Sequence, residues 1–98
     1  MRALDQGQDV NGVDGIGGTP LYWASRNGHT GVCALLIDRG ADVGRAKNDG
    51  WTPLMIASLN GHADVCALLL DRGANAGRAA NDGGTPLHVA SYNGHTGV

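Results

Sequence analysis

Histidine, cysteine and serine recur along this chain of 98 residues at a fixed interval. His29, His62 and His95 form one series, Cys33 and Cys66 a second, and Ser25, Ser58 and Ser91 a third, each with a step of 33. Such residues could ligate a metal, close a disulfide or supply nucleophiles. Two arginine ladders, Arg39 with Arg72 and Arg45 with Arg78, could meet phosphate or an acidic partner. Whether any series converges depends on the elements that carry it.

Those elements repeat with the same step. Thr-Pro-Leu stands at 19–21, 52–54 and 85–87, and Asn-Gly-His at 27–29, 60–62 and 93–95. Asp-Arg-Gly-Ala stands at 38–41 and 71–74. Residues 18–50 and 51–83 align without a gap, residues 84–98 repeat the first part of the unit, and residues 1–17 repeat its end. A fixed period of this length is the mark of a stacked repeat array.

One unit reads as helix, tight turn, helix and turn-rich loop. Thr19 before Pro20 is a helix start, because the hydroxyl caps free amides and proline suits the first helical position. Leu21, Ala24 and Ser25 then give a narrow inward stripe of mostly small residues. Asn27-Gly28 ends this helix after about eight residues, too few to stand alone in water. A second helix starts near Thr30, with Val32, Leu35 and Leu36 as its expected inner face, and ends at Gly40. The loop over 41–50 closes with the turn dipeptide Asp49-Gly50. Neither helix can bury its face without a neighbouring unit.

The period, the Thr-Pro-Leu start, Ala-Ser in the first helix, Gly-His between helices and Leu-Leu-Ile/Leu-Asp-Arg-Gly-Ala after them resemble the ankyrin repeat. The resemblance runs over essentially the whole chain. It implies an all-α fold, an ankyrin-repeat solenoid of stacked helix-turn-helix units joined by β-turn fingers. It also implies one domain over 1–98, made of the end of a partial repeat (1–17), two full repeats (18–50 and 51–83) and a further partial repeat (84–98). The expected function is a non-catalytic protein–protein interaction module with no cofactor. Two departures stand out. The histidine usual after Thr-Pro-Leu survives only as His88, with Tyr22 and Met55 elsewhere, so part of the family's hydrogen-bond network should be lost. The asparagine usual in the loop survives as Asn11, with Gly44 and Gly77 in the next two units, where looser fingers are expected.

Stacking argues against the chemical readings. Equivalent positions on neighbouring packed helices lie roughly 8–10 Å apart, whereas a disulfide needs Cα atoms within about 7 Å and zinc ligands converge at about 2 Å. The histidines therefore read as turn residues, the cysteines as reduced core thiols and the serines as small packing residues, with no metal and no catalytic set. No glycine-rich phosphate loop is present. Arg39 and Arg72 stand at helix ends beside Asp38 and Asp71, where a solvated cation suits the helix dipole. A net charge of −2 gives no reason to expect nucleic acid or acidic lipid. The longest apolar runs, such as Val65–Leu70, are too short for a membrane span. With no secretory leader visible, a cytoplasmic or nuclear compartment is expected.

Under the resemblance, a protein partner touches the finger tips and the inner face of the first helices, at positions that vary between units. These are Ile16, Gly18 and Arg26; then Asn48, Asp49, Trp51 and Leu59; then Asn81, Asp82, Gly84 and Tyr92. Trp51 stands where the other units have Gly18 and Gly84. A core slot would not accept both sizes, so Trp51 is read as an exposed anchor on a finger, the alternative being local packing over the neighbouring first helix. Trp23 replaces Ile56 and Val89 and is read as core. The chain starts inside one second helix, at Met1–Leu4, and stops inside another, at Thr96–Val98. Two readings follow, an excerpt of a longer array or a structural solenoid that self-associates head-to-tail through uncapped ends.

Overall fold

The computed structural model describes residues 10–78, 80, 81, 83 and 84. Four helices occur in this span: α1 (Pro20–Arg26), α2 (Thr30–Asp38), α3 (Pro53–Leu59) and α4 (Ala63–Asp71). No strand is present among the described residues. Each helix of the second pair begins 33 residues after its counterpart in the first. Both chain ends, and with them the head-to-tail arrangement, lie outside the described residues. Within them no helix is long and apolar enough to cross a membrane.

The local signals work as expected at the helix starts. Thr19 Oγ1 accepts the Tyr22 N–H at 3.1 Å, and Thr52 Oγ1 accepts the Met55 N–H at 3.3 Å. Both threonines are buried, so the caps also satisfy hydroxyls that water no longer reaches. α1 packs on α2 and on α3, α3 packs on α4, and α2 packs on α4. The core is one continuous cluster that includes Leu21, Ala24, Cys33 and Leu36 from the first pair and Leu54, Ala57, Val65, Cys66 and Leu69 from the second.

The inner face of α2 differs from the Val32, Leu35, Leu36 stripe. Cys33 and Leu36 are buried, Leu35 is half-buried and Val32 is 36% exposed. The turn between the helices sets this rotation, because it brings Cys33 Sγ within 3.6 Å of Ser25 Oγ on α1. The same contact, 3.5 Å, joins Cys66 to Ser58. The small Ser–Cys pairs let the two helices of each unit approach closely. Both cysteines are free, and burial pushes both thiols above their ordinary pKa, against the opposing pull of the serine hydroxyls.

The connecting loops form a row of fingers. In the first, Gly17 N–H donates to Asp14 O and Asp14 N–H to Gly18 O, both at 3.0 Å. In the second, Gly50 N–H donates to Lys47 O at 2.9 Å and Lys47 N–H to Trp51 O at 2.8 Å. In the third, Gly83 N–H donates to Ala80 O at 2.9 Å and Ala80 N–H to Gly84 O at 2.8 Å. One backbone bond ties each finger to the next: Asn48 N–H to Ile16 O (3.0 Å) and Asn81 N–H to Asp49 O (3.1 Å). This approach requires glycine at the turn. Gly50 has φ +86°, and a Cβ there would lie 2.8 Å from the Asn81 backbone nitrogen.

Two predictions follow from this packing. Gly50→Ala should destabilise the chain by about 2 kcal/mol, through left-handed strain and the displaced finger. Urea unfolding followed by circular dichroism would show it, and an unchanged midpoint would refute the account. The raised thiols fix the sign of an alkaline effect. As pH climbs past 9.0, the ordinary thiol value, the unfolded chain loses its thiol protons before the folded one does. The thiol contribution to stability is thus fully present below pH 9 and falls as pH rises through the folded pKa values. Replacing both cysteines with alanine should flatten the alkaline part of the stability profile, and in the native chain thiol-specific alkylation at pH 8 should be much slower than in urea.

Candidate interaction surface

The expected partner-facing residues are set out along the fingers and the ends of the first helices. Ile16, Arg26, Asn48, Asp49 and Asn81 are exposed, and Leu59 is half-buried. Asp82 and Tyr92 lie outside the described residues. The finger ties bring Ile16 beside Asn48 and Asp49 beside Asn81, and Asn81 Nδ2 also donates to Asn48 O at 3.2 Å. Arg26 and Leu59 occupy the same position at the ends of α1 and α3. Arg26 O is held by the next unit, through Asn60 Nδ2 at 2.9 Å and His62 Nε2 at 3.0 Å.

Trp51 is half-buried rather than openly exposed. Its backbone closes the base of the second finger through the Lys47 bond, directly before the buried cap Thr52. Trp23 is not core either. It is half-buried, and its indole Nε1–H donates to Asp14 Oδ2 at 2.8 Å. The reason lies in Gly18: a Cβ there would meet Trp23 Nε1 at 2.5 Å, so the indole occupies space that a glycine leaves open. In the following unit the sizes are exchanged, with Trp51 at the finger and Ile56, 7% exposed, on the helix. The complementary pairs Gly18–Trp23 and Trp51–Ile56 were the sequence signal for this arrangement.

Two carboxylates stiffen the fingers from different places. Asp14 Oδ1 accepts the N–H groups of Gly18 (2.9 Å) and Ile16 (3.1 Å). The Gly18 bond foremost, against the opposing effect of burial and with help from the Ile16 and Trp23 bonds, holds the Asp14 carboxyl below its ordinary pKa. In the second finger Asp49 Oδ1 accepts the Trp51 N–H at 3.0 Å, the donor equivalent to Gly18. Asp49 Oδ2 pairs with Lys47 Nζ at 3.4 Å. That ammonium lies 5.0 Å from the centroid of the Tyr22 ring, which stands edge-on to Trp23. Tyr22 is 3% exposed, and burial raises its phenol pKa. Tyr22 of this unit thus lies beside the next finger's lysine. The next unit has buried Met55 and Ala80 at these positions.

Among the described residues, the histidines, cysteines and serines that could do chemistry form no metal-binding group. Ser25 and Ser58 are buried against the cysteines, His29 and His62 flank the starts of α2 and α4, and no group of three His, Cys, Asp or Glu among the described residues could hold a metal. Arg72 Nη1 meets Asp38 Oδ1 of the preceding unit at 3.3 Å in an exposed ion pair, of small energetic weight. Arg78 Nη1 donates to Gly44 O at 2.6 Å, a tie between successive loops that the arginine ladder had not suggested.

No curated protein matches the chain significantly. The family model for ankyrin repeats (three copies) matches residues 1–80 and again 43–98. Ankyrin repeats generally mediate protein–protein contacts and are typically non-catalytic. Helix pairs stacked at a period of 33, with fingers tied tip to tip, agree with that match, and the chain belongs to the ankyrin repeat family.

Proposed function

We propose that this chain binds a partner protein through its finger tips and the ends of its first helices, with Trp51 as the principal anchor. One observation carries the reading. The positions that differ between units, Ile16 against Asp49 and Arg26 against Leu59, lie on a backbone held in register by the finger-to-finger bonds and by the bonds of Asn60 and His62 to Arg26 O. Their side chains are exposed or half-exposed and make no part of the buried cluster. A rigid scaffold that presents variable side chains suits recognition, because little ordering entropy is lost on binding. Half-burial strengthens the case for Trp51. A half-buried ring loses less freedom when a partner covers the rest, and tryptophan is prominent among residues that dominate interface energy.

Trp51→Ala should weaken partner binding by more than about 1 kcal/mol, roughly fivefold or more, with the thermal midpoint nearly unchanged. A partner recovered with the wild-type chain would be titrated calorimetrically against wild type, Trp51→Ala and Asp64→Asn, the last an exposed change on α4. Equal affinities for all three, or unfolding of Trp51→Ala, would overturn the anchor assignment.

A further inference from the structure

Asn11 joins two successive loops with its carboxamide. Its Oδ1 accepts the Asp42 N–H at 2.8 Å and its Nδ2 donates to Gly40 O at 3.2 Å. One period later the corresponding backbone groups are the Asn75 N–H and the Gly73 carbonyl, and the residue equivalent to Asn11 is Gly44. The receiving loop keeps its form. Asp42 Oδ1 accepts the Gly44 N–H at 3.0 Å, and Asn75 Oδ1 accepts the Gly77 N–H at 2.9 Å. Ala41 N–H donates to Leu36 O at 3.0 Å, and Ala74 N–H to Leu69 O at 2.9 Å. Among the described residues, the Asn75 N–H and Gly73 C=O have no hydrogen-bond partner. A pocket of about 180 Å³ opens at this place, with Asp42, Gly44, Leu54, Gly73, Asn75 and Arg78 among the residues that line it.

We propose that this pocket binds a carboxamide side chain, asparagine or glutamine, supplied by a partner protein in the place that Asn11 fills within the chain one unit earlier. The chemistry selects the group. The site offers one donor and one acceptor in the arrangement that a primary amide satisfies on both sides. A carboxylate has no hydrogen to give to Gly73 O, and an ammonium has no lone pair for the Asn75 N–H. The volume is below that of ordinary small-molecule sites, about 300 Å³ upward, and fits an inserted side chain. Arg78 lies at the same pocket, anchored by Nη1 on Gly44 O, with further N–H groups to meet the amide oxygen. The pocket shares no residue with the finger-tip surface, so it goes beyond the binding reading above and can fail without it.

The test is a titration of the full ¹⁵N-labelled chain, read at the Asn75 amide resonance. The probes are acetyl-Gly-Asn-Gly-methylamide and its Ala and Asp counterparts, which carry no other primary amide. The Asn peptide should give a saturable shift with half-saturation on the order of millimolar, while the Ala peptide gives none. Gly44→Asn should abolish the response and raise the thermal midpoint by roughly 4–8 °C, as the two restored hydrogen bonds at a solvent-exposed site would in a chain of this size. A Cβ at Gly44 meets nothing closer than 3.7 Å, and its φ is not in the left-handed region, so the variant fits the fold. Equal shifts from the Asn and Ala peptides would overturn the proposal. So would a stronger response to the Asp peptide, which would assign the site to Arg78 alone, or a response that survives in folded Gly44→Asn.

Discussion

A helix of seven residues does not hold together in water, so α1 and α3 exist because each packs on the other and on the helix that follows it. Every other feature of the structure serves that contact. The inner stripe of α1 is small, Leu21 with Ala24 and Ser25, because a second helix and a second unit must both come close. Cysteine faces serine within each unit for the same reason: the pair is compact, mutually bonded and dry. The buried hydroxyls of Thr19 and Thr52 are satisfied at the same points where the helices begin. Stability in such an array belongs to the joints between units more than to the units.

The joints are made of three kinds of tie. Apolar packing joins the helices, backbone bonds join the fingers, and side chains reach from one unit into the next at the loops and turns. The last kind changes from unit to unit. Asn11 ties its loop to Asp42 and Gly40, whereas Arg78 reaches back to Gly44 O. Lys47 covers Tyr22, whereas the next unit has Ala80 and Met55. The glycine at 44 was expected to loosen its finger. What the structure shows there is an arginine tie beside a small pocket. The same frame thus carries different local polarity at each joint, and a repeat protein can differentiate in this way without disturbing its stack.

Much of this was legible in the chain itself. The period, the helix starts at Thr19 and Thr52, the helix stops at Asn-Gly, and the core role of Leu21, Ala24 and Ser25 rest on short-range chemistry that repeats in register. The inner face of α2 was displaced by one residue from expectation. Apolar spacing alone does not distinguish Val32 from Cys33 when both belong to an apolar run, and burial of a small thiol depends on what stands opposite. Trp23 was misplaced for a related reason. Comparing each position with its equivalents treats positions one at a time, but Trp23 and Gly18 share one space, as size exchange with Trp51 and Ile56 indicates.

The amino-acid sequence by itself determined the repeat, its family and, among the described residues, where the helices start and stop. These follow from covalent spacing and from capping within a few residues, which do not change with the surroundings. Only the tertiary structure decided the rotation of α2, the partial cover on Trp51 and Trp23, the Asp14 and Asp49 braces and the pocket at Gly44. Each of these depends on the distance between groups about one unit apart or on opposite sides of a turn. That distance is set by how closely two packed surfaces approach, a quantity that periodicity bounds but does not specify.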